Sequence, residues 1–122
     1  MNEDIINIIE KYIILLLGVV DRPVPSIWHV EKELFILSKS NPKIQQFFEF
    51  EKHYNGPYSQ VLKEVVEEPL YYEGAFALNE NGLYLTTSGK RIFEHVRRTG
   101  QGLLFLALFL KKNRWKQSVD GI

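Results

Sequence analysis

The chain has 122 residues, of which 45% are hydrophobic and 13% aromatic, and it contains no cysteine. This composition is typical of a globular domain rather than a disordered chain, and it excludes disulfides, thiolate catalysis and cysteine-based metal sites. Lysine and arginine balance aspartate and glutamate at 15 each. The cations are concentrated in residues 90–116, where Glu94 is the single acid. Such asymmetry is typical of a protein with an anionic partner, and equally of two ordinary solvated helix faces.

The N-terminus does not resemble a signal peptide, because Asn2, Glu3 and Asp4 are acidic or neutral where a signal peptide is basic. The two most apolar runs, residues 12–20 and 103–110, are shorter than the roughly 20 residues that a membrane span requires. The sequence therefore predicts a cytoplasmic protein without a membrane partner.

Two helices are predicted in the first third of the chain. Residues 3–19 are apolar on nearly every side, which indicates burial in the core or in a subunit contact. After a linker at 21–25, Ser26 is expected to cap a helix over residues 27–39. Its apolar stripe is expected to face the core, and its charged side chains to face solvent: Glu31, Lys32, Glu33 and Lys39.

A strand, a turn and an amphipathic helix follow. Alternation of phenylalanine and glutamate predicts a strand over residues 47–52. Asn55-Gly56-Pro57 has the composition of a tight turn. Apolar residues at helical spacing then predict a helix over 59–68, which Ser59 would cap and Pro69 would end.

A hairpin and two more helices complete the chain. Asn81-Gly82 is the strongest short hairpin signal, so strands are expected at 74–80 and 83–86, with Leu78 opposite Leu85 on the inward face. Helices are expected over 88–98 and 103–115, separated by Gly100 and Gly102. This order predicts an α+β fold: a winged helix-turn-helix with a small antiparallel sheet and an extra C-terminal helix. Residues 1–98 would form the winged-helix domain, and 99–122 a dimerisation extension of it.

Three motifs resemble a known family. HYNGPYS at 53–59, the helix QVLKEVVEE that follows it, and a hairpin ending in LYLTTSGKRIFE at 83–94 are similar to the YwgA-like small winged-helix proteins of bacteria and archaea. The resemblance extends over residues 5–98, and a more distant one links the chain to the Panacea domain of some antitoxins. It implies a winged-helix fold with a nucleic-acid-binding or regulatory role. The chain departs from the family pattern at Pro69 and in the added helix 103–115.

No pattern of catalytic or metal-binding residues is evident. His29, His53 and His95 are far apart and have no partner ligands at recognisable spacing. Ser59 lacks the surroundings of a nucleophile elbow, and helix capping explains it better. Gly100–Gly102 lacks the preceding strand and the downstream acid of a dinucleotide site. We therefore expect no enzymatic activity, no cofactor and no metal.

Function is predicted to depend on surfaces. If residues 59–68 are a recognition helix, its first residues meet the DNA major groove. The predicted contacts with double-stranded DNA are Gln60 and Lys63 in the groove, Ser59 on a phosphate, and a positive strip that holds further phosphates: Lys90, Arg91, Arg97 and Arg98. Such a protein would be a transcriptional regulator. The alternative is a winged-helix protein-interaction module, antitoxin-like or a subunit of an assembly, because Glu64, Glu67 and Glu68 oppose phosphate binding.

The C-terminal helix predicts a homodimer. Its apolar side chains cover every side of the helix, more than a terminal helix buries in one monomer. The predicted interface residues are Leu103, Leu106, Phe109 and Leu110, packed against their own copies or against helix 3–19 of the other subunit. The alternative is that both helices cover the core of one monomer.

Overall fold

The computed structural model describes residues 3–40, 45, 50–53, 56–100, 102–107 and 109. Its chain is mixed α and β, as the sequence predicts. The helices are α1 (Glu3–Val20), α2 (Ile27–Ser40), α3 (Gln60–Glu67) and α4 (Thr87–Val96), and residues 100, 102–107 and 109 are also helical. The strands are β1 (Glu51–His53), β2 (Gly56–Tyr58), β3 (Phe76–Asn79) and β4 (Gly82–Leu85).

Helix α1 is the centre of the core. Residues 12–17 are all buried, and α2, α3, α4 and β4 all pack against this helix. The ring of Phe105 is fully buried, with its centroid 5.9 Å from that of Tyr12. Phe105, from the C-terminal helical residues, thus packs against the middle of α1 within one chain. The apolar character of residues 12–17 on every side follows from this position, because neighbours surround the middle of the helix.

A close approach joins α1 to α4. A Cβ atom at Gly18 would lie only 2.2 Å from the ring of Phe93. Glycine at this position lets the α4 ring pack directly on the α1 backbone, which fixes the distance between the two helices.

The sequence predicts one small sheet from the strands at 47–52, 74–80 and 83–86; this is wrong, since the described strands form two separate two-stranded sheets. In the first, Glu51 pairs with Tyr58 and His53 with Gly56, and β2 packs against α2. Gly56 and Pro57 are therefore strand residues rather than the turn into α3. Pro57 is tolerated there because a two-stranded ladder leaves half of its N–H positions unpaired. The beginning of the predicted strand, residues 47–49, lies outside the described residues.

The predicted hairpin is present as β3–β4, but its register differs. Asn79 pairs with Gly82 and Leu78 with Leu83, so the turn residues are Glu80 and Asn81, one position earlier than predicted. The Asn79 side chain stabilises this turn by accepting a hydrogen bond from the Asn81 N–H at 2.7 Å. Leu78, predicted to face inward, is 69% exposed.

Helices α2 and α3 are not joined by a short turn. Residues 41–59 separate them and include the β1–β2 hairpin, whereas a helix-turn-helix connection has three to four residues. What the fold shares with the predicted winged helix is the succession of α3, the β3–β4 hairpin and α4.

Candidate interaction surfaces around helix α3

A buried carboxylate holds the beginning of α3. Ser59 has extended backbone angles (φ −130°, ψ 114°), and its hydroxyl accepts from the Leu62 N–H at 3.3 Å, which confirms it as the N-cap. Its own N–H donates to Glu31 Oε2 at 2.7 Å. Both residues are 1% exposed. The expectation that Glu31 faces solvent is therefore wrong, and Ser59 does not present its hydroxyl at the surface.

A second buried carboxylate holds the chain just after α3. Glu10, on α1, is fully buried and accepts hydrogen bonds from the backbone N–H groups of Leu70, Tyr71 and Tyr72 at 3.0–3.2 Å. Three successive donors on one carboxylate form a strong local anchor. The two anchors come from different helices, so α1 and α2 together position α3.

Two tyrosines near these anchors remain protonated well above neutral pH. Burial, and secondarily the negative charge of Glu10, raises the pKa of Tyr72, whose hydroxyl donates to Asn7 Oδ1 at 3.4 Å. Burial alone raises the pKa of Tyr12, beneath Phe105. Both phenols are thus neutral parts of the packing.

The exposed face of α3 is acidic. Gln60, Lys63, Glu64 and Glu67 are exposed, as is Glu68 directly after the helix. The Gln60 amide is engaged at both ends, since its Nε2 donates to Glu64 Oε1 at 3.0 Å and its Oε1 accepts from the Tyr58 hydroxyl. The face predicted to contact DNA therefore carries one lysine and three carboxylates, those of Glu64, Glu67 and Glu68.

A groove lies between the end of α3 and the β3–β4 hairpin; we call it the α3 groove. Its volume is about 710 Å³, and Leu70 and Leu78 are 66% and 69% exposed at its edge. Three exposed acids, Glu67, Glu68 and Glu73, also border it. The remaining lining is Val66, Pro69, Gly74, Phe76, Ala77 and Leu83.

The predicted positive strip lies on α4 and on the two residues that follow it. Lys90, Arg91 and Arg98 are exposed, and the Nε atom of Arg97 is 2.9 Å from Glu94 Oε2. Lys90 lines a separate cavity of about 420 Å³ that α3 does not reach. Lys63 and Gln60 line neither cavity, so no described site joins the α3 part of the predicted DNA contacts to the α4 part.

The predicted dimer residues have different surroundings. Leu103 is 61% exposed, Leu106 is half-buried, and Phe109 is buried with its ring 6.2 Å from that of Phe105. Leu110 lies outside the described residues.

No protein-family model matches this sequence, and comparison with curated proteins and with solved structures finds no match. Within the described part of the chain, no helix combines the length and hydrophobicity needed to cross a bilayer. The same residues contain no group of three or more histidine, aspartate or glutamate side chains that could hold a metal ion.

Proposed function

We propose that this chain is a protein-interaction module, with a winged-helix-like arrangement of α3 and the β3–β4 hairpin, that binds a partner protein at the α3 groove. The observation that carries the proposal is the charge of this region. Glu64, Glu67, Glu68 and Glu73 are exposed around α3, against Lys63. Phosphate contacts dominate the affinity of DNA-binding proteins, and this surface opposes them.

The exposed leucines support the same proposal. Leu70 and Leu78 are both more than 60% exposed and border one groove. Clustered apolar side chains with a polar rim are typical of a surface that a protein partner covers.

Double-stranded DNA is the second candidate partner, favoured by α4. Lys90, Arg91 and Arg98 are exposed, and none of them has an acidic partner among the described residues. In this alternative the positive strip, which includes Arg97, holds phosphates, while Lys63 and Gln60 meet the groove. Gln60 would first have to release Tyr58 and Glu64. Ser59 takes no part, because it is buried.

Retention on duplex DNA or heparin separates the two functions. We expect no retention at about 50 mM salt, because the α3 surface repels phosphate. Retention that falls steeply as salt rises would instead favour the regulator.

A pair of double variants then tests the strip. If the positive strip holds DNA, changing Arg97 and Arg98 to alanine flattens the salt slope by about two. The matched control changes Lys32 and Lys52, two exposed lysines outside α4, to alanine. An equal decrease of the salt slope in both double variants would mean that DNA binding depends only on the net charge of the protein.

The homodimer remains a prediction, in which the C-terminal helical residues pack against their own copies or against α1 of the other subunit. Residues 12–17 of α1 are buried within the chain, and among the predicted interface residues Leu103 and the half-buried Leu106 are the described ones that keep exposed surface for such a contact. Sedimentation equilibrium at tens of micromolar is expected to show a dimer that Leu103→Ser weakens. A clean monomer would contradict the prediction.

A further inference from the structure

We propose that the α3 groove binds a segment of a partner protein in which lysine or arginine side chains flank one or two large apolar side chains. This inference rests on the proposed function and adds the chemistry of the partner. Two features of the groove specify that chemistry, its apolar surface and its acidic rim.

The apolar surface calls for large side chains on the partner. Phe76 and Leu83 are buried beneath the groove, while Leu70 and Leu78 rise from two different segments with most of their surface uncovered. A volume of about 710 Å³ holds several side chains. An apolar anchor seated there removes water from both leucines, which is how the centre of an interface gains affinity.

The acidic rim calls for cations beside those anchors. Glu67, Glu68 and Glu73 border the groove, and in the described part of the chain no cation pairs with any of them. Unpaired surface carboxylates attract a basic segment, speed its association and repel an acidic one. The same three charges disfavour a nucleic acid at this site.

A second copy docking through α4 does not fit the groove. The α4 helix and the turn after it present Lys90, Arg91 and Arg98, but the apolar residues Ile92 and Phe93 are half-buried and Val96 is buried. Its cations would pair with the acidic rim of the groove, but no apolar side chain would cover Leu70 and Leu78. A foreign segment with both features satisfies the whole groove.

The test uses a fluorescent synthetic peptide of roughly 12 residues in which lysines alternate with leucines. The control peptide has glutamate in place of every lysine. The 122-residue chain is expected to bind the lysine peptide and not the glutamate peptide. Changing Glu67 and Glu68 together to glutamine, or Leu78→Ser, is expected to weaken binding about tenfold each.

Two matched variants outside the groove localise the effect. Glu80→Gln removes an exposed acid at the hairpin tip, and Leu103→Ser removes an exposed leucine on the C-terminal helical residues. Both are expected to leave peptide binding unchanged. If either weakens it as much as the groove variants do, binding is non-specific and the proposal is overturned.

The other results of these binding experiments distinguish a failure of the inferred partner chemistry from a failure of the proposed function. If the protein binds neither peptide nor duplex DNA, the inferred partner chemistry fails while an interaction function stands. Salt-dependent DNA retention overturns the proposed function itself. A gain in peptide affinity of more than about tenfold on changing Lys111 and Lys112 to glutamate would identify the chain's own basic residues 111–116 as the occupant, and would overturn the foreign segment.

Discussion

Replacing Glu10 with alanine is expected to lower the free energy of unfolding by about 3 kcal/mol. The carboxylate is fully buried and accepts from three consecutive backbone N–H groups, those of Leu70, Tyr71 and Tyr72. A donor left without a partner on burial costs about 1–3 kcal/mol, and water reaches some of these groups because Leu70 and Tyr71 are exposed. In thermal unfolding, the loss corresponds to a fall in melting temperature of about 10 °C.

The isosteric change Glu10→Gln separates hydrogen bonding from packing. Both carboxylate oxygens accept from backbone donors, so a glutamine must direct its NH₂ group at one of them. We expect Glu10→Gln to lose about half of the stability that Glu10→Ala loses. Glu80→Gln, at the exposed hairpin tip, is the control and should change little. A Glu10→Gln protein as stable as the parent would show that the three hydrogen bonds contribute nothing net.

Gly82→Val is expected to cost about 3–5 kcal/mol in the free energy of unfolding, from two effects that act together. The φ angle of Gly82 is +122°, which a β-branched residue resists. A Cβ atom there would also lie 2.1 Å from the carbonyl oxygen of Val24. That carbonyl accepts from the Leu83 N–H at 2.8 Å, so the clash disrupts the bridge that joins the loop before α2 to β4.

Variants at two other glycines separate the two effects, the strained backbone angle and the contact with Val24. Gly74 has φ +79° but open space around a Cβ, so Gly74→Ala measures backbone strain alone, about 1 kcal/mol. Gly100 has open space and no unusual φ, so Gly100→Ala should not destabilise the protein. Chemical denaturation of the three variants under the same conditions gives the comparison. Equal losses for Gly82→Val and Gly74→Ala would mean that the contact with Val24 is unimportant.

The features that the sequence predicts well are local ones. The amphipathic pattern of α3 and its cap at Ser59 depend on residues within one helical turn, and both are confirmed. The β3–β4 hairpin is confirmed for the same reason, but not its register. Asparagine at 79 can also fold back on the turn, and the contact between Val24 and Leu83 holds the strand one position away from the arrangement that Asn81-Gly82 favours.

The features that the sequence does not predict depend on distant partners. Glu31 reaches Ser59 across 28 residues, and Glu10 reaches Leu70 across 60. Helical periodicity identifies Glu31 as a solvent-facing residue because no local signal marks a buried acceptor. The sequence does not predict the α3 groove for the same reason, since Leu70 and Leu78 belong to separate segments that only the fold brings together. The acidic face of α3, in contrast, follows directly from the spacing of Glu64, Glu67 and Glu68.

The two carboxylate anchors have a consequence for the order of folding. Helix α3 has eight residues, and an isolated helix of that length is not stable in water. Its ends are fixed only once α1 and α2 are in place, so it should form late and unravel early. In native-state hydrogen exchange, its amides should therefore exchange together with those of residues 70–72, through a partial opening that leaves α1 protected.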